Sequence, residues 1–225
     1  MVQRKHLEIQ NMRIAGVVCI SDYEFPMLSY VFDSLKYFDD IVTLDEETED
    51  MGLLRNKAKY HTDCEYLFHI DFDEVINPDV YFELKEILSK TQLKAIAFPR
   101  CHIKKDMKIY AGEWRSPDWQ GRLHHRNIEF SRGIHEILLS PKIGTSKFVI
   151  VHYGNSLFEW NFKHMCKAHR KWKRLKAFNF FDVYSASTDE QLFQKLEQHE
   201  SFPIINLKDV ILPDLEVLKR ISELS

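Results

Sequence analysis

Apolar residues fall in short blocks along the first half of the chain, and their spacing switches between two periods. "RIAGVVCI" (13–20) is a compact apolar run rich in β-branched residues and predicts a buried strand. Within "SDYEFPMLSYVFDSLKYF" the apolar positions Phe25, Leu28, Phe32 and Leu35 recur at helical spacing. "DDIVTL" (39–44) predicts a second strand, "MGLLRNKAKYH" (51–61) a short helix and "CEYLFHIDF" (64–72) a third strand, joined by a few polar residues. Such alternation predicts a parallel sheet with helices on its faces. "PDVYFELKEILSK" then suits a helix begun by Pro78, and "KAIAFPRCHIKK" a further strand.

Beyond that point the alternation stops. "RLHHR", "HEILL" and "KFVIVHY" are short β-like blocks between residues 108 and 154, with Gly112, Gly121, Gly133 and Gly144 marking turns or loops. A mixed, partly antiparallel second half follows. From Ser156 the pattern turns helical: a basic helix, a capping box at Thr188-Asp189-Glu190-Gln191, punctuation by Pro203 and Pro213, and a last helix in "DLEVLKRISEL". The expected organisation is a tail (1–12), a catalytic domain (13–155) and a helical C-terminal extension (156–225).

Composition narrows the class. The 225 residues, 44% hydrophobic and 13% aromatic, suffice for one packed domain with an extension and argue against disorder. A net charge of -3 argues against a surface that is wholly a nucleic-acid platform. Cys19, Cys64, Cys101 and Cys166 are widely spaced, form no CxxC pair and read as reduced, buried thiols. No apolar run approaches the roughly 20 residues that span a bilayer, and "MVQRKHLEIQNMR" lacks the apolar core of a signal peptide. The expectation is a soluble cytoplasmic protein, with peripheral contact to a membrane left open by its basic segment.

Candidate chemistry concentrates at strand ends. In open α/β sheets ligands bind at the carboxyl ends of the strands, where Ser21-Asp22, Asp45-Glu46 and Asp71-Phe72-Asp73 fall. Asp71 and Asp73 flank one residue as the strand ends, and such oxygen ligands suit Mg²⁺ or Mn²⁺, ions that commonly bridge to phosphates. The plainer alternative is a solvated acidic loop. Against it, Asp71, Asp73 and Glu74 would repel one another without a counter-charge.

Four motifs in order resemble family 2 glycosyltransferases of the GT-A fold, over roughly Arg13 to Lys176. "VVCISDYEFPML" looks like the family's first strand and helix, with Ser21, Asp22 and Glu24 where an Asn-Glu pair is common. "DDIVTLDEETED" is similar to the stretch whose acids contact the nucleoside, which implies that role for Asp45 and Asp50. "GLLRNKAKYHTDCEYLFHIDFDEVI" resembles the family's Arg-Asn helix followed by its acidic strand end. That likeness implies Arg55 and Asn56 near the nucleotide and Asp71, Asp73 and Glu74 at the metal. "PDWQGRLHHRNIEFSRGIHEIL" resembles a later block of the same enzymes. The fold implied is a Rossmann-like mixed sheet flanked by helices. The activity implied is metal-dependent, inverting transfer of a sugar from a nucleotide-diphosphate sugar, a UDP-sugar foremost, to an acceptor hydroxyl on a glycan, lipid or protein.

Within that reading Asp73 holds the metal, and Asp71 assists it or holds the ribose. His152, ending "VIVH", is a third candidate ligand, with a structural histidine as the alternative. Glu136 in "GIHEIL" is the first candidate for general base and Asp118 in "SPDWQGR" the second. Trp119 could stack on a sugar face and Arg122 could pair with a phosphate, against plain packing roles for both. The segment "KHMCKAHRKWKRLK" (163–176) carries seven Lys or Arg and no acid. It reads as a solvated helix face, with diphosphate capture, anionic lipid or nucleic acid as its functional alternatives. A nucleotidyltransferase or phosphohydrolase is a competing enzyme class, although no Walker-type glycine loop is present.

Overall fold

A computed structural model of the protein describes residues 12–20, 26–46, 48, 50–103, 109–110, 118–131, 137–153 and 213–222. The first apolar run forms β1 (Ile14–Cys19), every residue of which is buried. In parallel beside it lie β2 (Asp40–Leu44) and β3 (Tyr66–Asp71). Cys19 pairs with Leu44 on one side and with Asp71 on the other, so the carboxyl ends of these strands align.

Helix α1 (Leu28–Ser34) links β1 to β2 and buries Leu28 and Val31. Helix α2 (Met51–Lys57) follows β2, continues as a 3-10 turn (Ala58–Tyr60) and is capped by Asp50, which accepts from the Leu53 N–H at 2.9 Å. Helix α3 (Val80–Lys90) buries Val80, Leu84 and Leu88 along one stripe. Side-chain alternation sorts the strands onto two faces. Ile14, Val18, Phe68 and Ile70 pack with Val31, Leu35, Leu84 and Leu88 from the α1 and α3 side, whereas Ala15, Val17, Cys19 and Leu67 pack with Leu54 and Ala58 from the α2 side.

The helix expected near the end of the chain is α4 (Leu215–Ser222), and its Leu218 and Ile221 are buried in the first of these clusters. Its buried residues therefore pack in the same core as β1, β3, α1 and α3. The basic segment 163–176 and the capping box at 188–191 lie outside the described residues.

The second half adds β4 (Glu74–Val75), β5 (Ala95–Ile103), β6 (Ile109–Tyr110), β7 (Asp118–His125), β8 (Gly144–Thr145) and β9 (Ile150–His152). The strand order is β2-β1-β3-β7-β5-β9-β4, with β6 and β8 also paired to β5. Strand β7 runs antiparallel to β3 and β5, and β9 runs parallel to β5, so the sheet is mixed as expected. The described part of "HEILL" makes only an isolated bridge, Leu138 to Phe130. Gly121 and Gly144 lie in strands rather than turns. A Cβ at Gly144 would fall 2.4 Å from Leu93 Cδ1 and one at Gly121 2.8 Å from Leu138 Cδ1, so both serve close packing.

Two local features decide where the charges go. Only Phe72 and Asp73 separate β3 from β4, yet β4 stands at the far end of the run β3-β7-β5-β9-β4. Laid flat, that run would span about 19 Å, whereas three residue steps reach at most about 11 Å, so the sheet rolls. Rolling returns Glu74 and His152 to the neighbourhood of Asp71. The second feature is a bulge: Ile96 pairs with Leu123 and Ala97 with Gly121, which leaves Arg122 as the extra residue of β7. A bulge of this kind re-aims a side chain.

Candidate active site

The re-aimed Arg122 joins a buried network of charges at the carboxyl edge. Asp71 Oδ1 accepts from Arg55 Nη2 at 2.6 Å and its Oδ2 from Arg122 Nη2 at 2.9 Å. Arg122 Nη2 also donates to Glu74 Oε1 at 2.6 Å, while Glu74 Oε2 accepts from the Asp71 N–H at 3.1 Å. Arg100 Nη1 approaches the same Glu74 Oε1 at 3.4 Å. Arg55, Arg122 and Glu74 are buried, and Asp71 is partly exposed. Burial would raise the Asp71 carboxyl, but the charges and hydrogen bonds of Arg122 and Arg55 outweigh it and hold the group well below the usual carboxylate range. The counter-charge demanded by the acidic strand end is thus supplied by arginines at Asp71 and Glu74.

Asp73 is treated differently. His152 Nε2 lies 3.2 Å from Asp73 Oδ2, and the Tyr153 N–H donates to the Asp73 carbonyl at 3.0 Å, tying the end of β9 to this residue. Burial lowers the His152 pKa, but the Asp73 charge and hydrogen bond exceed that effect and raise it on balance. Adjacent ligand atoms on an octahedral ion with bonds of about 2.1 Å stand about 3 Å apart, close to this separation. The oxygen and nitrogen of the pair therefore fit as two protein ligands of Mn²⁺ or Mg²⁺. Asp71 fits less well, since a cation there would displace an arginine. Among the described residues no group of three His, Cys, Asp or Glu side chains is arranged to hold an ion. A metal at Asp73 and His152 would draw its other ligands from phosphate oxygens and water.

Asn56, Arg55 and Asp50 make hydrogen bonds within the fold. Asn56 Nδ2 donates to the Phe130 carbonyl at 3.0 Å and its Oδ1 accepts from the Phe130 N–H at 2.8 Å, so the carboxamide that the motif would direct at the nucleotide clamps a distant backbone. Arg55 is committed to Asp71, and Asp50 caps α2. Asp45 is exposed just past β2, at the expected edge. Trp119 is 45% exposed near the start of β7, which the antiparallel pairing places at the carboxyl edge of β3 and β5. Asp22, Glu136 and the side chain of Asp118 lie outside the described residues.

Two features escape the motif reading. Arg100 interrupts the apolar strand "AIAFPRCHI", and a charge in a buried strand is a signal that could have singled it out. Beneath Asp71, on the same face of β3, His69 stacks on His124 with their Nε2 atoms 2.9 Å apart, both buried and both edge-on to Phe130. A carbonyl can only accept, so the His124 Nδ1–H donates to the His125 carbonyl at 3.0 Å, and its Nε2 takes the proton offered by His69 Nε2. His69 Nδ1 is then a lone pair, buried with no hydrogen-bond partner among the described residues.

Among the described residues no helix is long and apolar enough to cross a membrane, and Cys19, Cys64 and Cys101 are buried free thiols. No protein-family model and no curated protein matches the chain. Among solved structures, the chain is similar to S. aureus TarS 1-349 in complex with UDP-GlcNAc, with a TM-score of 0.48 and 11% identity, covering 87% of this chain and 75% of that one. It is also similar to S. aureus TarS 1-349 in complex with UDP, with a TM-score of 0.43 and 11% identity over 93% of this chain and 78% of that one.

Proposed function

We propose that this chain is a GT-A-type glycosyltransferase that moves a sugar from a nucleotide-diphosphate sugar, a UDP-sugar foremost, to an acceptor hydroxyl with inversion. The observation that carries this reading is the Asp73–His152 pair at the carboxyl edge of the sheet, set in the motif order that resembles family 2. Mn²⁺ or Mg²⁺ held by Asp73 and His152 would supply the charge that stabilises the departing diphosphate. Asp71, kept ionised by its arginines and partly exposed, has lone pairs left to accept from a ribose hydroxyl. Asp45, beyond the end of β2, takes the nucleoside side of the site. Trp119 offers an exposed aromatic face to a sugar.

Inversion needs a carboxylate to accept the acceptor's proton. Glu136 takes that role in this proposal, with Asp118 as the competing candidate. Glu136→Gln cannot take a proton and is expected to lower transfer roughly 10²-fold or more while leaving donor binding unchanged, with a smaller loss for Asp118→Asn. The reverse order of effects, in transfer assays beside UDP titrations, would move the base to Asp118. The proposed activity itself is tested by incubating the protein and Mn²⁺ with UDP-, GDP- and CDP-sugars without acceptor and following slow release of free sugar. Turnover of one nucleotide class supports a transferase, whereas no turnover of any donor, together with hydrolysis of simple phosphoesters, would favour the phosphohydrolase class.

A further inference from the structure

Of the arginines in the network, Arg100 alone keeps a solvent-facing surface: its side chain is 21% exposed, against 2% for Arg55 and 3% for Arg122. It is also the weaker partner of Glu74, at 3.4 Å from an oxygen that Arg122 holds at 2.6 Å. Its place in the sheet is specific. Strand β5 aligns Arg100 with Ile150, two residues before the pairing of His102 with His152, so the guanidinium rises from the strand next to the one that carries His152. A guanidinium offers a planar fork of donors matched to phosphate oxygens, which lysine or a bare ion does not reproduce.

We infer that Arg100 contacts the terminal phosphate of the nucleotide-diphosphate donor, as a second cationic group beside the one proposed at Asp73 and His152. This rests on the glycosyltransferase reading and adds to it a residue that no motif marks. Arg100 then holds negative charge that grows as the bond from the anomeric carbon to the diphosphate oxygen breaks, with the bonding pair leaving on that oxygen. Because it touches only phosphate, it discriminates a diphosphate from a nucleoside and is indifferent to the base.

The test compares wild type, Arg100→Lys and Arg100→Met by calorimetric titration of UDP and of uridine, each with Mn²⁺. The expected result is a UDP affinity lower by roughly tenfold or more in Arg100→Met and intermediate in Arg100→Lys, with uridine binding changed less than about twofold. Urea midpoints of the three proteins show whether a variant has merely lost stability. Wild-type binding of UDP with equal affinity in Arg100→Met overturns the assignment of Arg100 and leaves the transferase reading standing. Equal losses for UDP and uridine also overturn it, since they mark a structural role. Wild type that binds neither overturns the reading on which it rests.

Discussion

Replacing Arg122 with methionine is expected to cost about 3 kcal/mol of folding stability, the lower end of what removing one partner from a buried ion pair costs. Methionine fills much of the same volume, so the loss comes from charge rather than from a cavity. Among the described residues, Glu74, fully buried, would keep the Asp71 N–H and the 3.4 Å approach of Arg100 but no close cation, and the Asp71 carboxylate would keep Arg55. Desolvated carboxylates left short of donors are costly, and this penalty outweighs the worth of any one hydrogen bond. Urea unfolding at neutral pH measures it as a lower midpoint at unchanged slope. Adding Glu74→Gln removes a stranded charge and should recover part of the loss, the sign of direct coupling. A loss under about 0.5 kcal/mol, the scale of a surface substitution, would show that the network contributes little.

Acid is expected to destabilise the protein well before the carboxylates titrate. Burial pushes the pKa of His124 down to about 4 and that of His69 well below the usual histidine value of 6.5. For His69 the His124, Arg55 and Arg122 charges add to the effect. Between the folded and unfolded values the unfolded chain binds protons that the folded chain refuses, so stability rises with pH there. The stabilisation is fully present above about pH 6.5 and is lost as pH falls toward 4. Each histidine contributes at most about 1.4 kcal/mol per pH unit, so the pair contributes up to about 2.7. His152, with its raised value, has the opposite sign, contributing below 6.5 and losing that contribution as pH rises through its folded value. Asp71 acts only further down, since a depressed carboxyl loses its contribution below the unfolded value of about 4. Urea midpoints from pH 7.5 to 5 should therefore fall steeply in wild type. His69→Gln, which keeps an N–H donor for His124 without titrating, should flatten the slope by roughly half. A slope unchanged by that variant would place the acid sensitivity elsewhere.

The pattern of apolar blocks was enough to read the parallel β1–β3 sheet, its helices and the carboxyl edge, because those elements rest on local periodicity. The network at that edge depends on tertiary geometry that no local period encodes. Asp71 meets Arg55 and Arg122, 16 and 51 residues away in the chain, because α2 covers one face of β3 and a bulge turns Arg122 toward it. The glycine before Arg122 was legible, but it read as a turn, since a residue that makes room for Leu138 looks the same in sequence as one that bends the chain. Motif likeness carried Asn56 and Asp50 to the nucleotide, and no local signal announced that the carboxamide also clamps Phe130 and that the carboxylate also caps α2. Glu74 read as one of several acids at an open strand end. It is instead buried, because Phe72 and Asp73 are too few to let β4 lie anywhere but against the rolled sheet.

The most direct test of the central claim is calorimetric titration of UDP into wild type and Asp73→Asn, each with Mn²⁺ and with chelator. Wild type is expected to bind UDP with Mn²⁺ and to lose most of that affinity in chelator. Asp73→Asn, without the carboxylate that pairs with His152, is expected to bind weakly and equally in both conditions. UDP affinity that is the same in wild type and variant, with and without the ion, would contradict a metal-dependent diphosphate site at Asp73 and His152.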